Sequence, residues 1–227
     1  DLADAVSFNP VTAYTCPKRL ARESALLFRK YPLLMGLSNQ IPQPGDHFTD
    51  DLSGIPILVV RGKDHVLRAF PNVCRHRNMT IAEGAGTVPA LQCPYHLWTW
   101  SLDGRLVGAP SMEGAEGFDP SAECLVALRV EEWNGFVLVN LDPRATPFAE
   151  SVPGLTERCA EHGVASLVRG PSARFTSSVN WKVMVENFIE SYHHAGVHPE
   201  SLQTTYPGQR SFVIDNDDEP WSWLDHV

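Results

Sequence analysis

Two short stretches constrain the fold of this chain more than any other feature: NVCRHR at 72–77 and CPYH at 93–96. Each sets a cysteine beside a histidine, Cys74 with His76 and Cys93 with His96, and sixteen residues lie between His76 and Cys93. The single arginine between Cys74 and His76 is tighter than the roughly two to four residues usual between the first ligands of a structural zinc site. One such pair alone reads as a buried thiol next to a polar side chain, because free cysteine is among the residues most often found inside. Two pairs in turn-rich loops read differently. The fold must bring both loops to one place, where two thiols and two imidazoles surround a single buried group.

The segments around those loops are β-like. IPILVVR, HVLRAF, LWTWSL, LVALRVEEW and GFVLVNL are short, rich in β-branched and aromatic residues, and separated by turn signals such as LDGR. Together they predict an all-β unit from about residue 45 to about 141. Before it, PKRLARESALLFRKY has Leu20, Leu26, Leu27 and Tyr31 near helical spacing, and reads as a helix ended at Pro32. After it, the proline-rich LDPRATPFAESVPG reads as a linker and RFTSSV as a strand. WKVMVENFIESYHHAG reads as a helix capped by Asn180 and stopped at Gly196.

Composition bounds the partners. A formal charge of −9 argues against a nucleic acid or an anionic membrane surface, since either needs a net basic face. No apolar run approaches the roughly 18 residues of a membrane span, no secretory signal is visible in the opening DLADAVSF, and the missing initiator Met leads to the expectation of a trimmed start. Five cysteines, odd in number and scattered, fit a reducing cytoplasm better than a disulfide framework.

A [2Fe–2S] centre with two thiolates on one iron and two imidazoles on the other takes one Cys and one His from each loop. CRHR and CPYHLWTWSLDGRL resemble the two cluster loops of the Rieske family over their whole length. The resemblance implies that Cys74 and Cys93 hold one iron while His76 and His96 hold the other. Met79 and Tyr95 stand where quinol-oxidising Rieske proteins carry an extra, disulfide-forming cysteine in each loop, so the likeness is to the oxygenase or ferredoxin branch. Leu97 stands where the family commonly has glycine. A Cys2His2 zinc site bracing a non-enzymatic β module is a competing reading.

A second motif decides between carrier and enzyme. His193 and His198 are five apart, and five residues on an ideal helix advance about 500°, onto different faces. The helix must break between them, and Gly196 is the expected break. Two histidines so presented, with a carboxylate, form the facial triad that binds ferrous iron and leaves positions open. Taken alone, the histidines read as a polar helix end favoured by the dipole. Beside the two loops, however, the stretch from Asn180 to His198 resembles the catalytic-iron motif of Rieske non-haem iron oxygenases, N-W-K-x3-E-N-x2-[DE]-x-Y-H-x4-H, with every fixed position filled. The resemblance implies His193 and His198 as ligands of a mononuclear Fe(II), Glu190 as the carboxylate through which electrons pass from a neighbouring subunit's cluster, and Asn187 and Tyr192 near the iron. Glu190 and His193, three apart on a helix, are expected on one face. Glu186 reads equally as a solvated helix charge and Trp181 as a core residue. The family's third ligand is an aspartate far downstream. Asp215, Asp217, Asp218, Glu219 and Asp225 are not taken for it, so it is expected beyond Val227 and the catalytic domain is expected to be incomplete.

The expected fold class is therefore α+β. An N-terminal helical segment at 1–40 packs with the catalytic domain, an all-β Rieske domain occupies 41–145, and 146–227 begins a helix-grip catalytic domain that buries its helix poorly on its own. The resemblance implies a terminal oxygenase component that activates O2 to hydroxylate, dihydroxylate or oxidatively demethylate a small organic substrate. Glutamate rather than aspartate at position 190, and likeness to the branch with choline and betaine monooxygenases, lean towards a quaternary ammonium compound over an aromatic one. No G-x-G-x-x-G signature is present, so a separate NAD(P)H-dependent reductase or ferredoxin is expected as partner. The resemblance also implies a head-to-tail homotrimer, a closed ring that sets one subunit's cluster beside the next subunit's iron. A Rieske ferredoxin-like carrier without catalysis is the alternative.

Overall fold

The computed structural model describes residues 8–51, 54–214 and 220–226, and divides the chain into two units, Ser24–Pro171 and Asp1–Glu23 with Ser172–Val227. Of the downstream acidic residues, Asp215, Asp217, Asp218 and Glu219 lie outside the described residues.

The larger unit is built on β3 (Ile57–Arg61), the IPILVVR run. Its residues 57–60 are all fully buried, so the strand packs on both faces, and a continuous apolar run results where a half-exposed strand would alternate. It lies between β2 (Asp46–Asp50) and β4 (Leu67–Pro71) in an antiparallel sheet of order β4–β3–β2–β5, with β5 at Ala85–Thr87. Ile57 and Val59 face one core, shared with Met35, Ile41, Phe48, Val137 and Val139. Leu58 and Val60 face a second core that contains Cys74, Cys93, Trp98 and Trp100. The first core is closed by a sheet of order β1–β10–β9, from Leu33–Leu37, Phe136–Asn140 and Arg129–Trp133. The second is closed by a small sheet of β6 (Leu91–Gln92), β7 (Thr99–Trp100) and β8 (Leu106–Gly108), whose β6–β7 hairpin carries CPYH at its tip.

Several local expectations change. In PKRLARESALLFRKY an α-helix runs only over Pro17–Glu23 and passes into a π-helical turn at Ser24–Phe28, well before Pro32. LLMGL becomes strand β1 because it pairs with β10, Leu33 opposite Val139, an interaction that no local signal announces. The proline-rich linker holds a helical turn at Phe148–Ser151, whose Phe148 N–H donates to Glu131. RFTSSV forms no strand.

In the smaller unit, α1 (Thr12–Thr15) and α2 (Pro17–Glu23) accompany α5 (Trp181–Phe188), numbered after α3 (Phe148–Ser151) and α4 (Leu155–Glu161) of the larger unit. Asn180 caps α5 as expected: its Oδ1 accepts from the Lys182 N–H at 3.1 Å, and its Nδ2 donates to the Tyr14 carbonyl at 2.9 Å. Glu23 accepts from Lys182 Nζ at 2.6 Å, Trp181 Nε1 at 3.0 Å and Arg19 Nε at 3.0 Å. Trp181 thus spends its N–H on a carboxylate 158 residues away in sequence, and Glu186 accepts the Tyr14 hydroxyl at 2.8 Å. On α5 itself, Val183, Met184, Val185 and Phe188 are exposed.

The Lys182 ammonium chiefly, against the opposing pull of burial and with help from Arg19 and Trp181, holds the Glu23 carboxyl at about 2, below its ordinary 4.5. A carboxyl lowered on folding contributes stability above its unfolded pKa and loses it as pH falls through the folded one. Hydrogen-exchange protection of the α5 amides is therefore expected to drop between about pH 4.5 and about pH 2. In Glu23→Gln, protection should already be reduced at neutral pH and should lack that drop. An identical profile in the variant would remove Glu23 from the anchorage of α5.

Candidate metal centres

The two cysteine–histidine loops share one backbone pattern. In the first, the Cys74 carbonyl accepts from the Asn78 N–H at 2.9 Å and the Cys74 N–H donates to the Met79 carbonyl at 2.8 Å. In the second, the Cys93 carbonyl accepts from Leu97 at 3.1 Å and the Cys93 N–H donates to Trp98 at 2.9 Å. Each loop closes on its cysteine through a residue in the left-handed region, Asn78 at φ 55° and Leu97 at φ 60°. Asparagine tolerates that conformation, whereas leucine adopts it at a cost of about 1–2 kcal/mol. The family's usual glycine at position 97 would avoid the strain.

Asn72, which the sequence reading passed over, braces the first loop. It is buried, its Oδ1 accepts from the Ile81 and Ala82 N–H groups at 3.2 and 3.1 Å, and its Nδ2 donates to the Ala82 carbonyl at 2.7 Å. Its only local signal is an asparagine at the end of a strand, a common loop residue.

Within this frame Cys74 and Cys93 are 1% and 2% exposed and form no disulfide. Burial, first among several influences, pushes the Cys74 thiol up. The His76 and His96 rings meet edge-on at 4.6 Å between centroids. His76 also stacks on Trp98 at 4.6 Å with only 7° between planes, and His96 stacks on Tyr95 at 3.9 Å. Burial, then the neighbouring His96 and Arg77, lowers the His76 pKa and favours the neutral imidazole that binds metals. Its Nδ1 is buried and has no hydrogen-bond partner. A buried ring nitrogen without a protein partner, next to a loop with a buried cysteine, suits a metal ligand. Among the described residues no three His, Cys, Asp or Glu side chains converge on one ion. A two-iron cluster needs only two protein ligands at each iron, so the pairs fit it.

The second candidate centre lies after α5. That helix ends at Phe188, not at Gly196. The His193 N–H goes to Glu190 Oε2 at 3.1 Å, in place of the carbonyl four residues back that a continuing helix would use. A separate turn, α6 (His194–Val197), then runs between His193 at its start and His198 at its end, and Gly196 lies inside it. The break falls at 189–192, so Glu190 and His193 meet through a loop and not along a helix face. The contact nevertheless forms: Glu190 Oε1 lies 2.5 Å from His193 Nδ1. Burial raises the Glu190 pKa, but the His193 ring and N–H outweigh it and hold the carboxyl below its ordinary value.

The His193 and His198 rings are 5.5 Å apart between centroids. His194 is buried and turned to the Tyr206 carbonyl, with its Nδ1 at 2.8 Å, which gives it a structural partner. With Nδ1 of His193 on Glu190, the other ring nitrogen is the one left for a metal, as carboxylate–histidine pairs at metal sites arrange it. The pair fits two of the three protein ligands of a ferrous site. Asn187 is exposed on α5, and Tyr192 is 90% exposed; neither makes a hydrogen bond or ring contact with His193 or His198.

Residues 32–126 match the Rieske [2Fe-2S] domain, and residues 164–226 match the ring hydroxylating alpha subunit (catalytic domain). The carnitine monooxygenase oxygenase subunit of Acinetobacter baumannii is 38% identical over 194 residues, which cover 84% of this chain and 52% of that protein. The glycine betaine monooxygenase oxygenase subunit of Chromohalobacter salexigens is 35% identical over 196 residues, covering 86% and 44%. The chain thus spans about half the length of these curated relatives. Among solved structures, the quaternary ammonium Rieske monooxygenase CntA in complex with L-carnitine superimposes with a TM-score of 0.85 at 34% identity, over 95% of this chain and 61% of that one. Naphthalene 1,2-dioxygenase from Rhodococcus sp., at 24% identity and a TM-score of 0.78, shares the fold. Both domain matches, the paired Cys/His loops and the His193–His198 turn lead to one conclusion: the chain belongs to the Rieske non-haem iron oxygenase family, as an alpha subunit with a Rieske domain and the ring-hydroxylating catalytic domain that follows it.

Proposed function

We propose that this chain is the cluster-bearing part of an oxygenase component that oxidises a quaternary ammonium compound of the carnitine or betaine class. The observation that carries the reading is the convergence of two buried thiols, Cys74 and Cys93, with the neutral His76 imidazole whose buried Nδ1 lacks a partner. The relatives named above and the likeness to CntA support the substrate class.

When bound, the [2Fe–2S] cluster supplies one-electron transfer and the ferrous ion supplies O2 activation. Cys74 and Cys93 would hold one iron of the cluster and His76 and His96 the other. Trp98 and Tyr95 fix the two imidazole planes by stacking. His193 and His198 would hold the mononuclear Fe(II) with a carboxylate outside the described residues. Glu190 keeps the His193 ring in one orientation and one tautomer through Nδ1, and the family motif puts Asn187 and Tyr192 near that iron. Neutral imidazoles make the cluster a better electron acceptor than an all-thiolate one. Electrons come from a separate reductase that reads NAD(P)H. In a cytoplasmic head-to-tail homotrimer, Glu190 would stand between one subunit's cluster histidines and the next subunit's iron ligand His193, where it would link the two centres. Among the described residues no helix is long and apolar enough to cross a membrane.

The full-length protein with its reductase tests this reading. The expected result is a reddish-brown protein with a Rieske-type EPR signal that consumes O2 in step with oxidation of carnitine or glycine betaine, and much more slowly with aromatic acids. A colourless, zinc-containing protein would overturn the cluster. A reducible cluster without substrate oxidation would make the protein an electron carrier.

A further inference from the structure

Between Arg105 and Arg129 no residue is basic, whereas Glu113, Glu116, Asp119 and Glu123 are acidic. This segment opens with β8 and folds round a surface pocket of about 410 Å³, walled mainly by Leu106, Val107, Ala109, Met112, Phe118 and Pro120. Glu113 stands in the lining, and the exposed Glu116 and Asp119 belong to the loop that forms one wall. Asp119 is held in place by Ser121, whose N–H and hydroxyl it accepts at 2.9 and 2.7 Å. The arginines closest to hand are already engaged, Arg75 with Glu123 at 3.2 Å and Arg105 with Asp103 at 2.9 Å. The pocket therefore has an apolar floor and a negative rim, the make-up of a protein interface.

That floor leads to the cluster site. The Phe118 ring lies 5.4 Å from Trp98 between centroids, and Trp98 stacks on His76 at 4.6 Å with 7° between planes. Three rings in contact thus join the pocket to an imidazole that would hold one iron. Electron transfer slows steeply as the gap between centres widens, so a donor seated in the pocket reaches the cluster through closely packed atoms. We propose that the electron-supplying reductase docks here, with an apolar side chain against Phe118 and a lysine- or arginine-rich rim facing Glu113, Glu116 and Asp119. The inference rests on the functional reading above and adds to it the place where electrons enter. In that step a reduced iron–sulfur or flavin centre of the reductase loses one electron and the oxidised cluster gains it, with no bond made or broken. Opposite charges speed the encounter, most at low salt. A donor that must leave after each electron needs only a small interface, as transient redox partners have.

The test uses the full-length oxygenase component and its reductase. Carbodiimide coupling, which joins a carboxylate to a lysine in contact with it, is expected to link the reductase to Glu113, Glu116 or Asp119. Glu113→Gln combined with Glu116→Gln should weaken reductase binding about 3- to 10-fold by calorimetry and flatten its dependence on salt. Val107→Arg places bulk and the opposite charge at the pocket while leaving the core untouched, since Val107 is exposed. It should abolish most of the binding and slow cluster reduction by the reductase, whereas dithionite should reduce the cluster at the unsubstituted rate. Unchanged binding in both variants, or cross-links that all fall outside 106–123, overturn the inference and leave the functional reading intact. A changed oligomeric state of Val107→Arg in light scattering would assign the pocket to a second copy of the chain and overturn it as well. A protein that assembles no [2Fe–2S] cluster overturns the functional reading itself.

Discussion

Replacing His193 or His198 by alanine is expected to abolish substrate oxidation in the full-length protein while the Rieske EPR signal stays unchanged. The two histidines flank one short turn with ring centroids 5.5 Å apart, and a three-ligand ferrous site that loses an imidazole no longer holds its iron. The effect should be confined to that metal, because the Cys74, His76, Cys93 and His96 loops lie in the other structural unit and have their own core. His198 is partly exposed at the end of the turn, so the change in stability should stay within about 0.5 kcal/mol, as for other surface substitutions. Metal analysis should show loss of the mononuclear iron with cluster iron and sulfide retained. Disappearance of the cluster signal in either variant would show that the two centres are not separate, and retained turnover would remove that histidine from the ligand set.

Glu190→Gln should retain both metals and reduce turnover about 10- to 100-fold, the usual loss when a carboxylate that orients a metal-bound histidine is removed. Glu190 takes both the ring Nδ1 of His193, at 2.5 Å, and its backbone N–H, at 3.1 Å, so it sets the position of that residue twice over. Glutamine has nearly the same volume but no charge to stabilise the Nδ1–H tautomer. Single-turnover oxidation of the pre-reduced cluster with substrate and O2 is the direct readout. If Glu190 were only an exposed charge, the variant would react at the unsubstituted rate, and the proposed electron route through the trimer would lose its support.

The spacing of cysteines and histidines alone singled out the candidate cluster site. Ligands of one small inorganic group must come from short loops at fixed local spacing, and that spacing is written in consecutive residues. The both-faces-buried strand β3 was legible for a similar reason, since IPILVV carries no polar interruption, and so was the Asn180 cap, which acts within a few residues of itself. Tertiary structure alone decided the rest. LLMGL is a strand because β10 lies next to it, and Glu23 is an anchor because Lys182, 159 residues away, points its ammonium there. The helix after Asn180 ends at Phe188, and past that end the Glu190 carboxylate takes the His193 N–H, a contact across a loop that no periodicity announces. The roles of Asn72 and Trp98 stayed hidden because their side chains act across loops.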